Sequence, residues 1–148
     1  MRLLVLFPVV FAAACTPLAT VQKSGPVIPG SVQISGLVGA WCAFSSDGKS
    51  CIAYREYFRD LTVRSCEIDQ AVNKVVVSSA EVKLKGNEIC LKVTSSNETS
   101  GTPVGYEFCS ELVELTSSAI KYKSIPGGEI FSEKRVSPNS EKCSSLPN

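Results

Sequence analysis

Seven cysteines and no histidine define the chemistry open to this 148-residue chain. The cysteines are Cys15, Cys42, Cys51, Cys66, Cys90, Cys109 and Cys143; the closest two lie nine residues apart and no Cys-x-x-Cys occurs. That spacing offers neither a redox dithiol nor a thiolate metal finger. The lack of imidazole removes Ser-His-Asp and Cys-His catalysis, histidine general acid–base chemistry, and every zinc site that needs a histidine. It also removes the side chain that titrates near neutral pH. Carboxylates remain, and Glu107, Glu111 and Glu114 are the densest set. On a strand, Glu107 and Glu111 would share a face about 13 Å apart. Paired-carboxylate glycosidases use roughly 5–10 Å. The expectation is therefore a solvated face, no catalytic residue, no metal, no cofactor, and a protein that is not an enzyme.

Exported proteins put such cysteines into disulfides, and the N-terminus reads as an export signal. Met1-Arg2 supplies one positive charge, Leu3 to Ala13 is apolar apart from Pro8, and three alanines precede Cys15. A charged start, an apolar stretch and a small-residue cleavage zone make a secretory signal. The apolar run is well short of the roughly 20 residues of a spanning helix. Ala12-Ala13-Ala14-Cys15 resembles the lipobox of bacterial lipoproteins, with Ala12 where that family usually has Leu, Val or Ile. The resemblance covers residues 1–15. It implies cleavage before Cys15 and a diacylglycerol on its thiol. Thr16, where Asp would favour inner-membrane retention, implies the periplasmic face of the outer membrane. The alternative is cleavage by the ordinary signal peptidase, leaving Cys15 as a thiol. Cysteine parity favours the lipid, because an odd count is awkward in an exported protein and setting Cys15 aside leaves six.

Without residues 1–14 the chain has 134 residues, enough for one domain with its own core. It also loses one of its 15 basic residues and is then formally neutral against 14 acidic ones. Neither nucleic acid nor a strongly charged partner is favoured. Residues 15–35 carry three prolines and no stable period, and read as a lipidated cysteine and tether. Twenty such residues in a flexible coil would span about 25 Å. The alternative is that Val32 and Ile34 already belong to the first strand.

Residues 36–148 read as an all-β domain with a polar C-terminal tail. Leu37 to Phe44, Cys51 to Phe58 and Leu61 to Ile68 are strand-like, with Asp47-Gly48 and Arg59-Asp60 as turns. Val75 to Leu84 is rich in valine, and its alternation breaks at Ser78-Ser79-Ala80, which suggests a bulge. Ile89, Leu91 and Val93 show the cleanest two-residue period. Val104, Tyr106 and Phe108 form another face, in a strand running on to Leu115. Ile120 with Tyr122, and Glu129 to Val136, complete the set. Short strands at this spacing predict a small antiparallel meander, closed or partly open as a barrel, or else a sandwich.

Six cysteines most simply make three disulfides, each stabilising by about 2–4 kcal/mol. Of the fifteen pairings, Cys42–Cys51 across the first hairpin, Cys66–Cys90 between strands and Cys109–Cys143 at the tail are the expectation. Gly39-Ala40-Trp41 resembles the Gly-x-Trp of lipocalins and lipocalin-like bacterial domains. The resemblance implies a barrel with Trp41 plugging one end, Arg135 packed over it, and a calyx for a small apolar ligand. Tyr54, Phe58, Tyr106, Phe108 and Tyr122, with Tyr57 nearby, could line such a pocket or simply fill a core. The leading expectation is a non-enzymatic binding module, anchored to the membrane by lipid, for a small apolar ligand or envelope component. The alternative is a protein-interaction lipoprotein that inhibits a periplasmic or invading enzyme, confers immunity, or assists envelope assembly. Its candidate surface is residues 45–50 and 95–103.

Overall fold

The computed structural model describes residues 32–69, 74–97 and 102–139. The signal 1–14, Cys15, the tether as far as residue 31, and Cys143 lie outside the described residues. A four-residue helix, α1 (Ile34–Leu37), precedes eight strands: β1 (Gly39–Phe44), β2 (Cys51–Tyr57), β3 (Thr62–Asp69), β4 (Lys74–Lys85), β5 (Glu88–Ser96), β6 (Glu107–Leu115), β7 (Ala119–Ile125) and β8 (Ile130–Val136). Each strand pairs antiparallel with its neighbours in sequence, and β1 closes on β8 through Ala40↔Val136, Trp41↔Arg135 and Cys42↔Lys134. The all-β expectation is met by a closed up-and-down barrel.

Alternation decides what fills it. In β5, Ile89, Leu91 and Val93 face inward and are buried, while Lys92 between them is exposed. The break read in β4 is an irregularity between Ser79 and Ala80, and the extra residue sits on the partner strand, where Thr94 is skipped between Val93 and Ser95. The interior cluster joins Leu37, Trp41, Tyr57, Val63, Val82 and Leu115 with their buried neighbours. Val32 and Ile34 pack against it, and the Val32 amide donates to the Gly86 carbonyl at 2.8 Å. The folded body thus takes in residues that the sequence reading placed in the tether.

One end of the barrel is closed by α1 and by Arg135. The Arg135 guanidinium lies over the Trp41 indole, 4.1 Å from its centroid. It donates to Ser117 O (2.8 Å), Val38 O (2.9 Å) and Gly36 O (3.0 Å). The indole N–H donates in turn to Leu37 O at 2.7 Å. Gly39 is glycine for two reasons: its φ is +121°, and a Cβ there would stand 2.5 Å from the Arg135 guanidinium.

A second cluster lies on the outer face, where Ala40, Tyr54 and Cys66 are buried against Cys51, Ile68, Val75, Val77 and Val136. Cys42 is bonded to Cys51 across the first hairpin, as expected. The other two expected pairings fail. Cys90 is bonded to Cys109, which stands directly opposite it with Cα atoms 4.0 Å apart. Cys66 sits on β3, two strands away from Cys90 on β5. At about 4.8 Å per strand that separation exceeds disulfide reach. Cys66 is also disulfide-bonded.

Replacing Gly39 and Gly48 separately by alanine tests the closed end. Gly48 has φ +71° but nothing within 4 Å of a Cβ. Gly48→Ala is expected to cost about 1 kcal/mol, the backbone penalty alone. Gly39→Ala, which must also displace Arg135, is expected to cost about 3 kcal/mol, read from urea midpoints.

Candidate functional site

Above the Trp41 end the barrel interior changes character. Arg55 and Tyr57 come from β2, Tyr122 from β7 and Glu133 from β8, all on inward-facing positions. Arg55 Nη1 donates to Glu133 Oε1 at 2.6 Å and to the Tyr122 hydroxyl. The Tyr122 hydroxyl donates to the same Glu133 oxygen at 2.5 Å. Glu133 is 1% exposed, and its Oε2 is buried with no hydrogen-bond partner among the described residues. Ser65 and Ser78 add an Oγ–Oγ hydrogen bond of 2.7 Å between β3 and β4.

Burial by itself lowers the pKa of Arg55, but the nearby carboxylates, Glu133 first and Glu67 with it, help hold it well above its usual value. Burial pushes the Tyr57 phenol up to about 12. It raises Tyr122 further, and Glu133 beside it adds to the effect while Arg55 opposes it. Both phenols are therefore neutral at physiological pH, and Tyr122 adds its hydroxyl as a donor to the Arg55–Glu133 pair.

Over this layer lies a cavity of about 380 Å³. Arg55 and Glu67 supply its charged groups, and Tyr106, Phe108, Tyr122 and Phe131 its aromatic walls. Thr102 and the β7–β8 hairpin residues Ile125–Gly127 complete the lining and place it at the end opposite α1. A recess of about 20 Å³ beneath it reaches Tyr57, Ile89 and Leu91. The wall rings stack in pairs, Tyr106 with Phe108 at 6.0 Å and Tyr122 with Phe131 at 5.5 Å.

Of the pocket residues expected from sequence, the structure brings together Tyr106, Phe108 and Tyr122. Tyr54 is not among them. It alternates onto the outer face, 1% exposed, and its hydroxyl donates to Glu56 and accepts from the Asn139 amide. Phe58 is not among them either. It is 39% exposed just past β2, in the turn to β3 at the closed end. Arg55, Glu67, Phe131 and Glu133 were missed. The available signal was parity: Arg55 alternates with the outward Tyr54 and Glu56, and Glu133 lies two positions from Arg135. Trp41 and Arg135 pack together at the opposite end from the cavity. Glu107 pairs with Lys83 (3.6 Å), Glu114 with Lys121 (2.7 Å), and Glu111 accepts from Asn87 at 2.9 Å. Cys90, Glu107 and Cys109 cluster closely, but the two sulfurs are bonded to each other and offer no thiolate.

No family model and no curated protein matches the chain. Among solved structures, a lipocalin-like protein from Bacteroides uniformis is similar over 68% of this chain and 99% of its own, at 16% identity and a TM-score of 0.49. An uncharacterized protein from Bacteroides eggerthii is similar over 67% of this chain and 98% of its own, at 15% identity and a TM-score of 0.48.

Breaking the buried pair should cost more than removing it. The Arg55 and Glu133 side chains are 16% and 1% exposed. Arg55→Leu alone is expected to destabilise by about 3–5 kcal/mol, because it strands a buried carboxylate. Adding Glu133→Leu should recover at least about 2 kcal/mol of that loss, read as coupling in a double-mutant cycle of urea midpoints.

The phenols set an alkaline limit. Below pH 10 Tyr57 is protonated whether folded or unfolded, and its contribution to stability is fully present. Between 10 and about 12 the unfolded tyrosine releases its proton while the folded one keeps it. Stability then falls as pH rises, by up to about 1.4 kcal/mol per pH unit per tyrosine. Tyr57→Phe should flatten the decline between pH 10 and 12 in thermal melts by about one tyrosine's share.

Proposed function

We propose that this protein is an envelope lipoprotein that binds a small, largely apolar ligand in its barrel cavity and performs no chemistry on it. The observation that carries this reading is the cavity itself. Its volume of about 380 Å³ falls within the range of small-molecule sites. Its walls are aromatic, and Arg55 and Glu67 are the charged groups of its lining. The Arg55–Tyr122–Glu133 layer supports the same reading. It keeps the core beneath the cavity closed, so a ligand would meet a fixed floor rather than compete with core side chains. Anchoring follows from the lipobox resemblance at Cys15, with the periplasmic face of the outer membrane as the proposed location.

A second reading has an observation of its own. Val104, Tyr106, Ile125, Ile130 and Phe131 are between 41% and 65% exposed and come from the β5–β6 connection and the strand ends flanking the β7–β8 turn. An apolar rim of that kind suits a protein partner. It lies at the mouth of the barrel and outside the 45–50 and 95–103 stretches expected from sequence.

The protein purified from its own membranes tests both parts of the proposal. Its intact mass should show loss of residues 1–14 and a gain of lipid. An unmodified soluble protein overturns the anchor. The neutral fluorophore N-phenyl-1-naphthylamine should brighten and saturate with a micromolar dissociation constant. Ser110 lines both the cavity and the recess below it. Ser110→Phe should fill that space and weaken the probe at least tenfold at unchanged melting temperature. Undiminished binding to that variant overturns the cavity reading.

A further inference from the structure

The charges around the cavity do not balance. Arg55 and Glu67 are the charged groups of its lining, and Glu133 lies directly behind Arg55. Both hydrogen bonds of Arg55 among the described residues leave from Nη1, and they are taken by Glu133 and Tyr122. The guanidinium is shared by two carboxylates: Glu133, which it bonds through Nη1, and Glu67, whose charge also helps raise its pKa. Glu67 is half-buried and has no ion pair or hydrogen bond among the described residues. It stands one residue pair nearer the mouth than Arg55, since Arg55 is opposite Ser65 and Ala53 opposite Glu67. Lys74, the nearest lysine in the register, is opposite Asp69, two positions further out, and is exposed. The neutral phenols add no charge of their own. The formal sum over Arg55, Glu67 and Glu133 is one negative charge.

The walls have the matching character. Two stacked aromatic pairs, Tyr106 with Phe108 and Tyr122 with Phe131, surround the space beside Glu67. Aromatic faces carry negative potential and attract organic cations, most strongly where water is excluded. An anionic head group would instead meet Glu67 and Glu133 with only one shared guanidinium to offset them.

We propose that the cavity takes an amphiphilic organic cation, with its ammonium group against Glu67 among the wall aromatics and its hydrocarbon along Phe108, Ile125 and Phe131. This rests on the reading of the cavity as a ligand site and adds the charge of the ligand to it.

Three ligands with the same ten-carbon chain test it: decyltrimethylammonium, decanol and decanoate, each displacing N-phenyl-1-naphthylamine from the folded protein at pH 7. The cation is expected to bind at least tenfold more tightly than decanoate and more tightly than decanol. Glu67→Gln should weaken the cation about tenfold and leave decanol within twofold. Equal binding of cation and carboxylate, no displacement by the cation, or indifference to Glu67→Gln overturns the charge preference while probe binding keeps the cavity reading intact. Failure of the probe itself to bind overturns both.

Discussion

One guanidinium holds the closed end together. Arg135 comes from the last strand, yet it reaches Gly36 in α1, Val38 just after it and the β6–β7 turn at Ser117, while covering Trp41. Its planar fork lets it serve three carbonyls and one ring face together, which a lysine ammonium could not do in the same geometry. Burial lowers its pKa, but an arginine remains charged throughout the physiological range. Gly39 owes its identity to this contact. Leu37, which is 0% exposed, owes its position to the indole N–H that bonds its carbonyl.

The interior above that seal has three levels. Apolar side chains fill the bottom, the Arg55–Tyr122–Glu133 layer crosses the middle, and the cavity occupies the top. A buried ion pair seldom stabilises a fold more than well-packed hydrocarbon would. Its presence here is better understood through position. It ends the apolar core at a defined height and leaves a polar surface facing the space above. An all-aliphatic barrel of this size would have nothing to keep its side chains from collapsing into that space.

Much of the architecture was legible because strand periodicity is a direct reading of burial. Ile89, Leu91 and Val93 announced their face, and the Asp47-Gly48 turn fixed the first hairpin. The interruption at Ser79-Ala80 was visible as broken alternation, although the extra residue proved to be Thr94 on the other strand. The cavity was only half legible. Tyr106, Phe108 and Tyr122 were found by residue type, and type also admitted Tyr54 and Phe58, which parity and turn position place elsewhere. Arg55 and Glu133 were missed because a charge within a strand ordinarily marks the wet face. They reverse that rule only by meeting each other over the intervening β1, 78 residues apart in sequence. The disulfides show a related limit: strand neighbours such as Cys90 and Cys109 can be named only once the register is known.

The closure of β1 on β8 has a consequence for how the chain acquires its shape. Every other strand pair joins sequence neighbours, so seven hairpins can form locally with little loss of chain entropy. The seam alone joins residues nearly a hundred positions apart, as Trp41↔Arg135 does. The cost of long-range ordering is therefore concentrated at this one seam. Cys42–Cys51 and Cys90–Cys109 each lie within a neighbouring strand pair, and neither crosses the seam. Thiol oxidation can thus fix these hairpins while the sheet is still open, and it need not wait for the ring to be complete.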